Sequence, residues 1–224
     1  IVPSEYLKRM VAGCGVDESK IHVLYNALPA DYKASTFSQQ EAREELGLDA
    51  AQPLLLTVGR VLPWKGVDHL IAAAAQMPDL KLVVAGDGPA LALAQRQASA
   101  AGISERVTFL GNVPRRQVPL WMKAADYVAL YSGYEGLSHV LLESLRAGTP
   151  AIASDKGGNP EVIQLGLNGL LLPYVNRDAL IETLREAFQP GGRAALAANT
   201  GAGMERFDFQ NMIAATDAEL RRLL

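Results

Sequence analysis

The chain has 224 residues, 49% of them hydrophobic, with 21 lysines and arginines against 24 aspartates and glutamates. That length and apolar content supply the core of a large domain and exclude a disordered chain; the interspersed charges, net -3, exclude a basic field for sequence-independent binding of nucleic acid. The single cysteine, Cys14, makes no internal disulfide, no cysteine and histidine cluster has zinc spacing, and no run approaches a membrane span, so a reducing, cytoplasmic setting is expected.

The opening IVPSEYLKRM lacks the order of a signal peptide and starts without methionine, which reads as part of something longer. Ser38 followed by Glu41 reads as a capping box starting the helix EAREELG. From residue 53 onward, short apolar runs alternate with stretches of helical period. PLLLTVG (53–59), LKLVVAG (80–86), RVTFLG (106–111), DYVALYS (126–132), PAIAS (150–154) and GLLLP (169–173) read as strands. Between them GVDHLIAAAAQM, ALALAQRQASAAG, RRQVPLWMKAA and SHVLLESLRAG repeat apolar residues at three and four positions. Strands apolar nearly throughout suit a parallel sheet covered on both faces. The expected fold class is α/β, a doubly wound parallel sheet of Rossmann-like type.

Such sheets bind ligands beyond the carboxyl ends of their strands. Each strand here runs into a polar, glycine-bearing loop: Gly59, Arg60 and, past Pro63, Lys65 and Gly66; then GDGP (86–89), GNVP (111–114), SGYEGLS (132–138) and DKGGNPE (155–161). Arg60 and Lys65, with a helix amino terminus formed by Gly136, Leu137 and Ser138, make a receiver for phosphates, because free N–H groups at that end carry roughly half a positive charge. A Walker loop is not met, since Lys65 lies between Trp64 and Gly66, and GDGPAL has Leu91 where a dinucleotide fingerprint needs its third glycine. No Asp-any-Asp triplet is present to carry a divalent metal, so no metal ligand is expected.

Glu135 and Glu143 have a physical reading in this setting. Glu135 lies in the loop before the helix, where its carboxylate accepts from sugar hydroxyls; Glu143 lies roughly 9 Å further along the helix and has the oxygens to accept two vicinal ribose hydroxyls. The bland alternatives are a dipole-favoured acid at Glu135, an ion pair of Glu143 with Arg146 or Lys156, and, for Arg60, a solvated loop residue or an ion pair with Asp87. His22, His69 and His139 are scattered over different elements, and Trp64 reads equally as a cover for the sheet edge.

The series VGRVLPWKGVDHLI, VVAGDGP, VTFLGNV, YEGLSHVLLESLRAGTPAIAS and GGNPEVIQLGLNGLLLP is similar, motif by motif and in order, to the carboxyl-terminal domain of family 4 retaining glycosyltransferases of the GT-B fold. The resemblance implies a donor site. In it Arg60 and Lys65 neutralise the diphosphate, Glu135 positions the donor sugar, the backbone about Val113 meets the base, the amides of Leu137 and Ser138 meet phosphate or sugar, and Glu143 holds the ribose. Gly59, Gly86, Asp87 and Gly136 complete the donor-binding set. No cofactor is implied beyond the substrate itself, a nucleoside diphosphate sugar, UDP- or GDP-linked. Many members read EGFG where this chain reads EGLS.

The resemblance further implies that residues 1–27 are the tail of an amino-terminal domain, its last helix and strand followed by the crossover near Asn26, 28–205 the nucleotide-sugar-binding domain, and 206–224 a closing helix that packs on the partner domain. That domain would bring the acceptor site and any membrane contact, leaving this chain without turnover alone. A sugar-nucleotide 2-epimerase shares the architecture, and a non-catalytic nucleotide-sugar-binding or regulatory module would keep the same motifs.

Overall fold

The computed structural model describes residues 1–222. Its centre is a sheet of six short strands, β1 (Leu54–Val58), β2 (Lys81–Ala85), β3 (Val107–Gly111), β4 (Tyr127–Leu130), β5 (Ala151–Ser154) and β6 (Gly169–Leu172), in the order β3-β2-β1-β4-β5-β6. Every pairing is parallel. The order reverses between β1 and β4, where a crevice opens outside the carboxyl ends.

Because side chains alternate across a strand, the continuous apolar runs feed two cores. Leu55, Leu82, Val84, Tyr127 and Ile152 face one layer, formed by α3 (Val67–Ala74), α4 (Leu91–Ala100), α8 (Arg177–Ala187) and α9 (Gly192–Ala198). Leu54, Leu56, Val83 and Val128 face the other, with Ala42 of α2 (Gln39–Glu45) and Met122 of α5 (Val118–Ala124). That second layer continues under β4 and β5, where Leu130, Ala151 and Ala153 meet Leu141, Leu142 and Leu145 of α6 (His139–Arg146). The doubly wound α/β fold expected from the sequence is the one observed.

Strand limits fall within two residues of the sequence reading, and the capping box forms: Ser38 Oγ accepts from the Glu41 N–H while Glu41 Oε2 accepts from the Ser38 N–H. At the ends α1 (Glu5–Gly13) is helical as expected, but the strand expected near residue 23 is reduced to one bridge between Val2 and Val23, since it has no longer neighbour to pair with. The closing helix is α10 (Phe209–Arg221), and the last two residues of that expectation, Leu223 and Leu224, lie outside the described residues. A single turn, α7 (Asn159–Val162), lies between β5 and β6.

One charged pair fixes where β1 and β4 begin. Arg43, only 5% exposed, donates to the carbonyls of Ala124 and Ala50 at 2.8 and 2.6 Å and to Asp126 Oδ2 at 2.9 Å. The same Oδ2 accepts from the Leu54 N–H at 2.8 Å, and Oδ1 accepts from Gln39 at 3.0 Å. Removing the carboxylate leaves the guanidinium buried without its counter-charge, so Asp126→Ala is expected to lower unfolding free energy by about 3 kcal/mol in urea titration. The Arg43→Ala, Asp126→Ala double variant should lose clearly less than the sum of the singles; additive losses would show the two act independently.

Candidate functional site

The loops after β1, β2 and β3 enclose a cavity of about 320 Å3 lined by Gly59, Arg60, Gly86, Asp87, Asn112 and Val113. Close backbone approach makes it possible. A Cβ at Gly86 would stand 1.8 Å from the carbonyl oxygen of Gly59, so any side chain there would push the first two loops apart. Arg60 is exposed and forms no ion pair among the described residues; Asp87 instead accepts from the Gly88 N–H at 2.6 Å. The alternative pairing of Arg60 with Asp87 is therefore not made.

Lys65 and Glu135 are brought together across the sheet's switch point. Gly66 takes φ +67° directly against Tyr131, whose carbonyl oxygen would lie 1.9 Å from a Cβ, and this lets the β1–α3 loop lie on the end of β4. The Gly133 N–H then donates to the Trp64 carbonyl at 2.7 Å, and Lys65 Nζ reaches Glu135 Oε1 at 2.5 Å. Both side chains are largely buried, at 22% and 13% exposure, so water screens this pair less than an ordinary surface ion pair. Glu135 Oε2 keeps no hydrogen-bond partner among the described residues. The site thus holds a preformed cation and a carboxylate with one oxygen to spare.

Gly157 and Gly158 support that loop from behind. The Gly158 N–H donates to the Glu135 carbonyl at 2.9 Å. The helix that follows begins one residue later than the sequence suggests: Ser138 is the N-cap of α6, its Oγ accepting from the Leu141 N–H at 3.4 Å, and the Leu137 side chain enters the core beside Leu141 and Val162. What Gly136, Leu137 and Ser138 leave unpartnered among the described residues is their N–H groups. Leu137 and Ser138 thus supply a core contact and a cap.

Glu143 lies along α6, partly buried, and neither Arg146 nor Lys156 pairs with it. Burial raises its carboxyl above the usual range, against which the Arg115 guanidinium acts. The Tyr32 hydroxyl, pushed well up by burial and then by the Glu143 charge, donates to the Glu143 carbonyl at 3.4 Å. His139, at the start of α6, is lowered by desolvation of part of its ring and by Arg115. Arg115 was not singled out from the sequence; the signal was a cation following a strand-end glycine loop, GNVPR, masked by its place in a helix-like run. A larger cavity of about 760 Å3 opens at the other end of α6, between Tyr32, Arg146 and Phe209, away from the glycine loops. Among the described residues, no group of three or more His, Cys, Asp or Glu is placed to hold a metal ion, and no helix is long and apolar enough to cross a membrane.

The raised Glu143 carboxyl carries a sign. A folded-state pKa above the unfolded one means that the native state binds the proton more readily, so its ionisation opposes folding and stability falls as pH rises through the folded value. Glu143→Gln should therefore melt higher than the parent at pH 7, with the gap closing below about pH 4, where both carboxyl forms are protonated. A gap of equal size at both pH values would remove the burial argument.

Residues 38–201 match the family described as glycosyl transferases group 1. The chain is 36% identical over 173 residues to D-inositol 3-phosphate glycosyltransferase of Mycobacterium sp., covering 74% of this chain and 38% of that protein. The protein of the same name from Xylanimonas cellulosilytica is 33% identical over 215 residues, covering 90% of this chain and 51% of its own length. The chain thus spans 38% and 51% of the length of these two relatives. Among solved structures, Anabaena Alr3699/HepE in complex with UDP and glucose superposes with a TM-score of 0.88 at 26% identity, covering 98% of this chain and 62% of that one. The carboxyl-terminal domain of a Francisella tularensis group 1 glycosyl transferase, LpcC, shares the fold with a TM-score of 0.67 at 24% identity, covering 75% and 91%. With all six strands of its sheet inside the matched region, the chain belongs to the glycosyl transferases group 1 family and is a glycosyltransferase domain with the Rossmann-like fold of one half of a GT-B enzyme.

Proposed function

We propose that this chain is the donor-binding, carboxyl-terminal half of a family 4 retaining glycosyltransferase that moves a hexosyl group from a nucleoside diphosphate sugar to a glycan or lipid-linked acceptor. The observation carrying the reading is the meeting, on one rim, of the Arg60 cavity, the Lys65–Glu135 pair and the unpartnered N–H groups before α6. The structural likeness to a protein solved with UDP and glucose, and with UDP-glucose, supports UDP as the nucleotide.

In this reading the base enters the cavity by the Val113 backbone, with Gly59, Gly86 and Asp87 shaping its walls. The diphosphate meets Arg60, Lys65 and the amides of Gly136, Leu137 and Ser138. Glu143 receives the ribose hydroxyls, and the free Oε2 of Glu135 receives hydroxyls of the transferred sugar. Charge grows on the diphosphate as its bond to the anomeric carbon breaks, and donors already fixed in place stabilise that charge without reorganising. The acceptor enters on the same face of the sugar, and Glu135 positions the donor without attacking it. Residues 1–27 and 206–224 belong with a second domain that supplies the acceptor site and any membrane contact, so this chain alone binds donor without turning it over.

Calorimetric titration with UDP, GDP, ADP and their sugar conjugates, without added metal, tests this. Binding in the UDP series is expected, weakened about tenfold or more in Arg60→Ala, as the loss of a charge-assisted hydrogen bond implies. A folded chain that binds no nucleotide, or an Arg60→Ala variant with parental affinity, would overturn the site. Glu143→Ala should weaken UDP and UDP-glucose alike, whereas Glu135→Ala should weaken UDP-glucose while sparing UDP. Equal effects of both changes on both ligands would reject this division of roles.

A further inference from the structure

Glu161, the last residue of DKGGNPE, has no part in the donor contacts above, yet it is the point where the chain's flanking segments meet. Its Oε2 accepts from the Glu5 N–H at 2.8 Å and its Oε1 from the Tyr6 N–H at 2.8 Å. These are the first two N–H groups of α1, which have no partner inside the helix, and Ser4 Oγ takes the third, from Leu7, at 3.1 Å. A carboxylate from a distant turn thus completes the cap and meets the positive end of the helix dipole. Tyr25 adds a hydroxyl to Oε2 at 3.0 Å, which with burial raises the phenol. The Glu161 carbonyl accepts from Arg206, whose guanidinium also lies over the rings of Tyr25 and Phe207, 5.5 and 4.8 Å from their centroids.

This fastening matters because α1 has little else to hold it. It has nine residues and buries none of them, so its own hydrogen bonds leave it marginal. Besides an ion pair of Lys8 with Glu18 at 3.6 Å, its contacts with the rest of the molecule include the loop before α6. Tyr6 packs edge-on against Tyr134 with centroids 6.0 Å apart, and a Cβ on Gly136 would stand 3.0 Å from a Leu7 methyl. On its other side, the turn bearing Glu161 is locked into the roots of the same loop. Asn159 Nδ2 donates to Ser154 O at 3.1 Å and to Ser154 Oγ at 3.2 Å, and Ser154 Oγ donates to the Ser132 carbonyl at 2.5 Å.

Resting on the donor-site reading, we infer that Glu161 is a positioning residue: by capping α1 it holds Tyr6 and Leu7 against residues 134–136, and so fixes Glu135 for the donor sugar. The connection also runs the other way. Whatever displaces residues 1–13 reaches the sugar-binding carboxylate through Tyr6 and Leu7.

Amide hydrogen exchange on the unliganded chain, compared with Glu161→Ala, Glu161→Gln and Leu7→Ala, tests the coupling directly. Glu161→Ala should speed exchange about fivefold in residues 5–13 and in residues 133–138, the loss expected for a helix cap. Glu161→Gln, which keeps one accepting oxygen, should fall between. Leu7→Ala leaves the cap intact yet should speed residues 133–138. In titrations, Glu161→Ala should weaken UDP-glucose about fivefold while leaving UDP unchanged. Acceleration confined to residues 5–13, or absent from both segments, would overturn the inference, as would equal weakening of UDP and UDP-glucose. A parent chain that binds neither ligand would defeat the donor reading, and parental exchange at residues 133–138 would still reject the coupling on its own.

Discussion

The backbones of residues 157–158 and 135–136 approach so closely that no side chain fits between them. A Cβ would stand 2.0 Å from the Glu135 carbonyl oxygen if placed on Gly157, and 2.3 Å from that of Gly136 if placed on Gly158. The N–H of Gly158 turns this proximity into a hydrogen bond. Most of the rim depends on that contact. It seats the loop whose Glu135 reaches Lys65 and whose Gly133 binds the Trp64 carbonyl, so the strand-end loops on either side of the switch point are held by one another. Substitution at either glycine would separate the loops before it affected any side chain that touches a ligand.

The electrostatics follow from the same geometry. Lys65 and Glu135 satisfy each other while the cleft is open, which limits the cost of holding two charges in partial burial. Neither is used up: an ammonium has three donors and a carboxylate four lone-pair directions. Under the proposed function a diphosphate and a sugar would add to this pair without having to break it. Arg60 differs in being exposed and, among the described residues, unpaired, with its freedom still to lose on binding. Glu143 is of a third kind, a carboxylate whose burial opposes its own charge and whose nearest relief is the Arg115 guanidinium. A hydroxyl donor at that carboxylate would replace part of the water that folding removed.

Much of this was readable in the residues, and the gaps have physical causes. Strands with apolar side chains on both faces leave no choice but a covered parallel sheet, and the glycine loops mark strand ends because only glycine permits the observed approaches, as Gly66 and Gly86 illustrate. The capping box was equally plain, since its two hydrogen bonds are local. The Lys65–Glu135 pair was not foreseen: both residues were read as facing a ligand, and a contact across seventy residues of sequence has no local signature. Glu161 belongs to the DKGGNPE loop, and nothing local announces its task, because its partners lie at residues 5, 6 and 25. The strand that the resemblance implies near residue 23 is cut to one bridge for a related reason, as a strand forms only where another edge is present to pair with it.

The sheet order has a bearing on how the chain assembles. Strands β1 to β3 pair among themselves through single crossovers, as do β4 to β6, and the two sets join only where Leu55 and Leu56 meet Tyr127 and Val128. The hydrogen bond that locks this seam, from Leu54 to Asp126, closes a loop of 72 residues. Closing a loop of that length costs more entropy than the crossovers inside each half. Lys65 sits on one side of the seam and Glu135 on the other, so each half can mature without forming the ion pair. A ligand gripping both residues would add its binding free energy to the joining of the halves.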